Sequence, residues 1–450
     1  MMTMRILEWR ALTLFLAATT LAGCAAVQAP NTLVQMEIEA SNDKVLANNT
    51  SEGVVHIDIG AQLPPNLRER IPLNISLVMD HSGSMSGDQM ADAKAAVIHI
   101  LNGLHPDDKV SVIAFSTRVA VLQPQEAWGD VDTQTLFEAL GGIRPRGTTA
   151  LHEALQQALA QVRKTHSETS INRVFLLSDG IPNEGSRLGA LAQQSRAQQV
   201  AISTFGLGPY YNEDLMAELA DVSGGNYHFI KESEEIETFL MAEKRSMEQV
   251  VARGVQLRAH LGPGVQVLQA FGGKSTIQGK VVSIFVGDIG AAERRQVALK
   301  LKITAPASGA KVELMDVELS WEDVVTWTGA AQQWQYLEAS ATRDRALIDG
   351  RHKKSVEEKV GRLQAAWEME AAMDAFEAGN KEAAERRLRE AVTDYRQKRL
   401  QTPRSLDRPS PLEEVMLQTA EMVADTDAKS ETGKLLIKKT KRRSREASGR

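Results

Sequence analysis

Asp80-His81-Ser82-Gly83-Ser84-Met85 decides the reading of this chain, because it follows the apolar run Ile71 to Met79 and precedes a helical pattern. An apolar run, a tight turn bearing glycine and a helix, in that order, put one carboxylate and two hydroxyls at the carboxyl end of a buried strand. Open α/β sheets bind their ligands at such ends. Oxygen donors of this kind suit hard cations such as Mg²⁺. Taken alone, Asp-x-Ser-x-Ser describes a turn and a helix cap equally well.

Two further stretches decide between these readings. Gly147-Thr148-Thr149-Ala150-Leu151 opens a second helical pattern, and Val174-Phe175-Leu176-Leu177-Ser178-Asp179-Gly180 is a buried strand that ends in an acid and a glycine. In this order and spacing the three stretches resemble the von Willebrand factor A (vWA) domain and its metal-ion-dependent adhesion site. The resemblance implies an α/β fold with a doubly wound, mostly parallel, Rossmann-like sheet. It implies hydroxyl ligands from Ser82, Ser84 and Thr149, with Asp80 and Asp179 acting mostly through waters that they orient. The family pattern Gly-x-Thr-x-Leu selects Thr149 over Thr148, since Thr149 stands midway between Gly147 and Leu151. Mg²⁺ is the implied ion, with Mn²⁺ or Ca²⁺ as alternatives. Neutral hydroxyls leave such an ion short of anionic ligands, so the expected partner is a protein that presents an Asp or Glu to it.

Around this core the hydrophobic period changes. Residues 71–251 alternate strands and helices, as a doubly wound sheet does. Before them, Val55, Ile57 and Ile59 alternate with His56 and Asp58, a half-buried strand with His56 on its solvent side. After them, Val255, Leu257, Ala259 and Leu261 open several alternating strands with Gly and Pro turns. Residues 52–70 and 252–330 are therefore expected to form a β-sandwich into which the vWA domain is inserted. Similar bacterial proteins and the inter-alpha-trypsin inhibitor heavy chains share this layout. Residues 340–428 read as helical, with a hairpin turning at Gly379-Asn380. Residues 429–450, rich in Lys and Arg, read as a disordered basic tail.

At the amino terminus, residues 1–24 read as a targeting segment: Arg5 and Arg10, then apolar Ala11 to Leu21, then Cys24. The apolar run is too short to span a bilayer comfortably. Leu21-Ala22-Gly23-Cys24 resembles the bacterial lipoprotein signal, which implies an acylated Cys24 anchored in the cell envelope. Ala25, which is not an acid, follows the cysteine, and in enterobacterial relatives that resemblance implies the outer membrane, facing the periplasm or the surface. Residues 25–51 read as a polar linker.

The 450 residues carry a formal charge of −6, too mild to suggest nucleic acid. No Gly-x-Ser-x-Gly elbow surrounds Ser82 or Ser84, and neighbours on a turn point apart, so His81 reads as an exposed loop residue and not as a base. A two-metal hydrolase would need more carboxylates. The expected function is metal-dependent protein binding without catalysis; the alternative is an envelope scaffold braced by a metal.

Overall fold

Buried alternation sets the first strands of the computed structural model, which describes residues 33–62, 70–179, 185–325, 329–400 and 409–449. The expected targeting segment and Cys24 lie outside the described residues. β1 (Val34–Ala40), β2 (Lys44–Leu46) and β3 (Thr50–Ala61) bury Val34, Met36, Val45, Val55, Ile57 and Ile59. The expected linker, residues 25–51, is corrected here: from Val34 onward it is sandwich. Its Glu37 and Glu39 lie on the solvent face of an edge strand, where charge is tolerated.

The next elements alternate. They are β4 (Leu73–Asp80), α1 (Asp88–Asn102), β5 (Lys109–Phe115), β6 (Val119–Ala127), α2 (Thr133–Gly142) and α3 (Leu151–Lys164). Then come β7 (Ile171–Ser178), α4 (Gly185–Ala197), β8 (Ala201–Leu207), α5 (Glu213–Ser223), β9 (Tyr227–Ile230) and α6 (Ile236–Glu248). The strands form one sheet in the order β6-β5-β4-β7-β8-β9, parallel except for β6. All eight residues of β4 and of β7 are buried, as expected for strands covered by helices on both faces. One apolar layer joins α1, α2 and α6 to the sheet, and the other joins α3, α4 and α5. The winding reverses at β4, which has β5 on one side and β7 on the other. Asp80 is its last residue.

Period two returns in β10 (Val250–Leu261), β11 (Val265–Phe271), β12 (Ser275–Gln278), β13 (Val281–Gly290), β14 (Arg294–Thr304), β15 (Lys311–Asp323) and β16 (Gly329–Thr342). Two sheets, β1-β3-β14-β11 and β12-β13-β10-β15-β16-β2, enclose one apolar core. β3 pairs with β14 from Thr50 to Gly60, so the chain leaves the sandwich after β3 and re-enters it at β10. The sandwich runs to Thr342, beyond the expected end at residue 330.

Among the described residues five helices follow: α7 (Arg345–Arg351), α8 (Lys354–Glu377), α9 (Lys381–Leu400), α10 (Pro411–Asp425) and α11 (Glu431–Ser448). α8 and α9 form a hairpin at Gly379, whose φ of +85° suits glycine. Val356, Val360 and Leu363 of α8 cover Val54, Phe271 and Ala298 on the outer face of the first sheet. This cover corrects the expectation for His56, which is buried. Burial and the charge of Lys359 hold its imidazole below the usual range.

The expected disordered tail is likewise corrected, because residues 431–448 form a docked helix. Ser430 caps α11 by accepting from Gly433 N–H, and the helix ends at Gly449 with φ +74°. Its cations find acids far away in sequence. Lys441 reaches Asp214 at 2.7 Å and Asp374 at 2.9 Å, while Arg445 pairs with both carboxylate oxygens of Asp221. Lys438 donates to Tyr211 O at 3.1 Å and lies over the Tyr211 ring.

A buried charge cluster ties the inserted domain to the sandwich. Arg173 on β7 is fully enclosed and donates to Glu243 of α6 at 2.5 Å and to Asp288 of β13 at 2.6 Å. Glu243 also accepts from Ser203 at 2.5 Å and Asn226 at 2.9 Å, with His228 Nε2 at 3.0 Å. Burial pushes the Glu243 carboxyl up, but the His228 hydrogen bond and the Arg173 charge outweigh it and hold the group well below the usual carboxylate range.

Candidate metal centre

Asp80 sits where β4 ends, and its carboxylate is fixed from two sides. Oδ1 accepts from Ser82 N–H at 2.7 Å, a local turn that aspartate favours, and Oδ2 accepts from Ser178 Oγ at 2.5 Å. The loop continues through Ser82 Oγ, 3.0 Å from Ser84 Oγ, and Ser84 Oγ donates to Asp179 Oδ1 at 2.7 Å. Asp80 is therefore tied to Ser82 through the backbone N–H, and the Ser82 and Ser84 hydroxyls carry the link on to Asp179. Met85, wholly buried, anchors the loop from below.

The second loop is laced to the first through backbone. Gly83 N–H donates to Gly147 O at 3.1 Å and Arg146 N–H to His81 O at 2.8 Å. Gly147 has φ +74°, and a Cβ there would stand 2.2 Å from Thr117 Oγ1, so only glycine fits. Thr149 is buried, whereas Thr148 is exposed and turns to Thr117, its N–H donating to Thr117 Oγ1 at 3.0 Å. Thr149 shares no hydrogen bond with the other four candidate residues; it is brought near by the loop lacing alone.

One expectation is corrected at this point. His81 is buried, because its Nδ1 lies 3.0 Å from Arg144 O and its N–H donates to Phe115 O at 2.8 Å. Asp80 is likewise enclosed. Ser178, which holds the Asp80 carboxylate, is the candidate-site residue that the motif does not name; its place at the end of a buried strand beside Asp179 was the available signal.

Burial raises the Asp80 carboxyl above its usual range, although the hydrogen bonds from Ser178 and Ser82 oppose this. Asp179 is pushed up to about 6, chiefly by burial, with the Asp80 charge adding and the Ser84 hydrogen bond opposing. Among the described residues no group of three or more His, Cys, Asp or Glu side chains assembles. The donor set is two acids and three hydroxyls, oxygen throughout, and it carries negative charge that its surroundings disfavour. A hard cation fits that chemistry.

The sequence profile of the von Willebrand factor type A domain matches residues 73–229. Among curated proteins, sll0103 of Synechocystis is 28% identical over 291 residues, 61% of this chain and 67% of its own length. YfbK of Escherichia coli is 27% identical over 222 residues, 48% of this chain and 38% of its own. Bovine inter-alpha-trypsin inhibitor heavy chain H4 is 32% identical over 129 residues, 27% of this chain but only 14% of its own. Two solved structures share the fold: a von Willebrand factor type A protein from Catenulispora acidiphila and the ArnB paralog VWA2 from Sulfolobus acidocaldarius. The first has TM-score 0.68 and 18% identity, covering 88% of this chain and 91% of that one. The second has TM-score 0.59 and 16% identity, covering 93% and 99%. The chain contains a vWA domain homologous to those of bacterial and eukaryotic proteins.

Proposed function

Taking the chain as a vWA-domain protein, we propose that Asp80, Ser82, Ser84, Thr149 and Asp179 hold one divalent cation, Mg²⁺ with Mn²⁺ or Ca²⁺ as alternatives. A partner protein's Asp or Glu then binds there. The observation that carries this reading is the set of hydrogen bonds linking Asp80 to Asp179 by way of Ser82 and Ser84, with both end carboxylates raised by burial. When bound, the ion supplies positive charge and an open position for a carboxylate. Ser82 and Ser84 present their oxygens to it, and Asp80 and Asp179 orient its waters. This is interaction without turnover. His81 is engaged with the Arg144 carbonyl, so it is not poised as a base on either serine.

Titration calorimetry with Mg²⁺ tests the site, and the two threonines provide the internal contrast. Thr149→Ala is expected to lose about 10–100-fold in affinity, and Thr148→Ala very little, because that side chain faces Thr117. Equal effects of the two would remove Thr149 from the ligand set. A pull-down from membranes, with and without chelator, tests the partner. Partners retained after chelation would leave the ion as a brace for the loops and make the protein a scaffold.

The raised carboxyls give the site a pH signature. Between the unfolded value of 3.8 and the folded value of about 6, the cation-free native state holds a proton on Asp179 that the unfolded chain has released. Stability without metal therefore increases as pH falls through 6, and it is lost as pH rises. Mg²⁺ competes with that proton, so its affinity falls in the same window. Thermal unfolding at pH 5 and 7.5, in chelator and in Mg²⁺, should show the larger metal-induced shift at pH 7.5. A shift of equal size at both would rule out proton competition.

Among the described residues no helix is long and apolar enough to cross a membrane. Attachment is proposed through lipid on Cys24, at the bacterial cell envelope and on the outer membrane by preference. Cys24→Ser is expected to abolish incorporation of a labelled fatty acid, and label equal to wild type would dismiss the anchor.

A further inference from the structure

The outer face and free edge of β16 take no part in the metal centre. Ser340 N–H donates toward β2, to Asp43 O at 2.9 Å, while Ala341 N–H turns the other way, to Ala310 O at 2.9 Å. By strand alternation, the backbone groups of Gln332, Trp334, Tyr336 and Glu338 face the same edge as those of Ser340. β2 pairs with Ser340–Thr342 only. Among the described residues no backbone group meets the edge from Gln332 to Glu338, a stretch of roughly 20–24 Å. The adjacent edge of the other sheet is closed by side chains of this same strand. Met36 N–H donates to Gln333 Oε1 at 3.2 Å, and Met36 O accepts from Gln335 Nε2 at 2.6 Å.

Edges of this length are ordinarily blunted by lysine, proline or a bulge. This one carries Trp334 and Tyr336, 51% and 53% exposed, with His260 stacked on the indole at 5.8 Å. Directly across on β15, Glu318 stands opposite Trp334, Asp316 opposite Tyr336 and Glu313 opposite Glu338. Lys311 bonds Glu338 at 3.1 Å and Arg258 lies 3.8 Å from Glu318, whereas Asp316 and Glu313 form no ion pair among the described residues. The strip is therefore aromatic and net acidic. Besides partial desolvation, Glu313 and Glu338 push the Tyr336 phenol up against the opposing charge of Lys311.

We propose that β16 is a docking edge for an extended cationic segment of a partner protein. The segment adds as a strand along Gln332–Glu338 and lays Lys or Arg side chains over Trp334 and Tyr336 toward Asp316 and Glu318. The edge supplies main-chain hydrogen bonds, as in strand addition generally. The aromatic faces and the acids behind them supply charge complementarity. Alternate residues of the segment turn inward beside Gln333 and Gln335, so the recognised pattern is a cationic residue alternating with a small polar one. This surface is independent of the metal.

The test is fluorescence anisotropy on the full chain, with a labelled heptapeptide alternating lysine and threonine, a glutamate-for-lysine counterpart, and a form N-methylated on the edge-facing amides. The lysine peptide is expected to bind, with chelator making no difference. Its affinity should fall about tenfold or more with Trp334→Ala, with Asp316→Asn combined with Glu318→Gln, and on N-methylation. Trp334 is half exposed and Asp316 and Glu318 are partly buried, so circular dichroism checks the variants' folds. Equal affinity for the glutamate peptide, or unchanged binding by both variants, would overturn the proposal. Binding that survives N-methylation would overturn strand addition. Concentration-dependent self-association abolished by Trp334→Ala would assign the edge to a second copy instead.

Discussion

Asp80→Ala is expected to cost about 10–100-fold in Mg²⁺ affinity, the range for residues that orient a metal's inner ligands. The position in the fold explains why so small a change has so large an effect. The Asp80 carboxylate accepts from Ser82 N–H, which shapes the loop, and from Ser178 Oγ, which sets the end of β7 beside Asp179. Removing it releases both loops at once. Because Asp80 is enclosed, the substitution also leaves two buried donors without an acceptor, about 1–3 kcal/mol each, partly offset by relief of a buried charge. Asp80→Asn separates these effects, since its carbonyl can still accept from Ser82 while its charge is gone. Calorimetry showing wild-type affinity in Asp80→Ala would sink the site.

The second large effect is on stability and lies away from the metal. Glu243→Ala is expected to cost about 3–5 kcal/mol in urea unfolding, the usual penalty for leaving a buried ion-pair partner uncompensated. Arg173 would keep Asp288 as its carboxylate partner and Ser203 Oγ as a neutral acceptor, while the hydrogen bonds that Ser203 and Asn226 donate to Glu243 would be lost. This guanidinium is one of the bridges between the inserted domain and the sandwich, so the loss should appear as weaker cooperativity between them as well as a lower midpoint. A cost under about 1 kcal/mol would show that the cluster relaxes around the gap.

What the sequence made legible was what it encoded locally. The turn after β4, the helix opened at Gly147 and the acid ending β7 each follow from a few adjacent residues. The alternation of buried strands with helices was also enough to indicate the doubly wound sheet that the structure shows. What escaped depended on partners distant in sequence. α11 looks like a solvated charge run until Asp214, Asp221 and Asp374 are seen beside it. β1 looks like linker because its glutamates sit on a face that stays wet. His56 looks solvent-facing until α8, some 300 residues later, covers it. The same limit applied at the site, where Ser178 acts through Asp80, nearly a hundred residues upstream.

The insertion between β3 and β10 has a mechanical consequence. Each of these strands is flanked on both sides, β3 by β1 and β14 and β10 by β13 and β15. A tug applied at the metal loop therefore reaches the sandwich along two interior strands at once, with no free end to peel. Such loading shears many ladder bonds together where peeling would break them one by one, so the sandwich should outlast the metal loop under load.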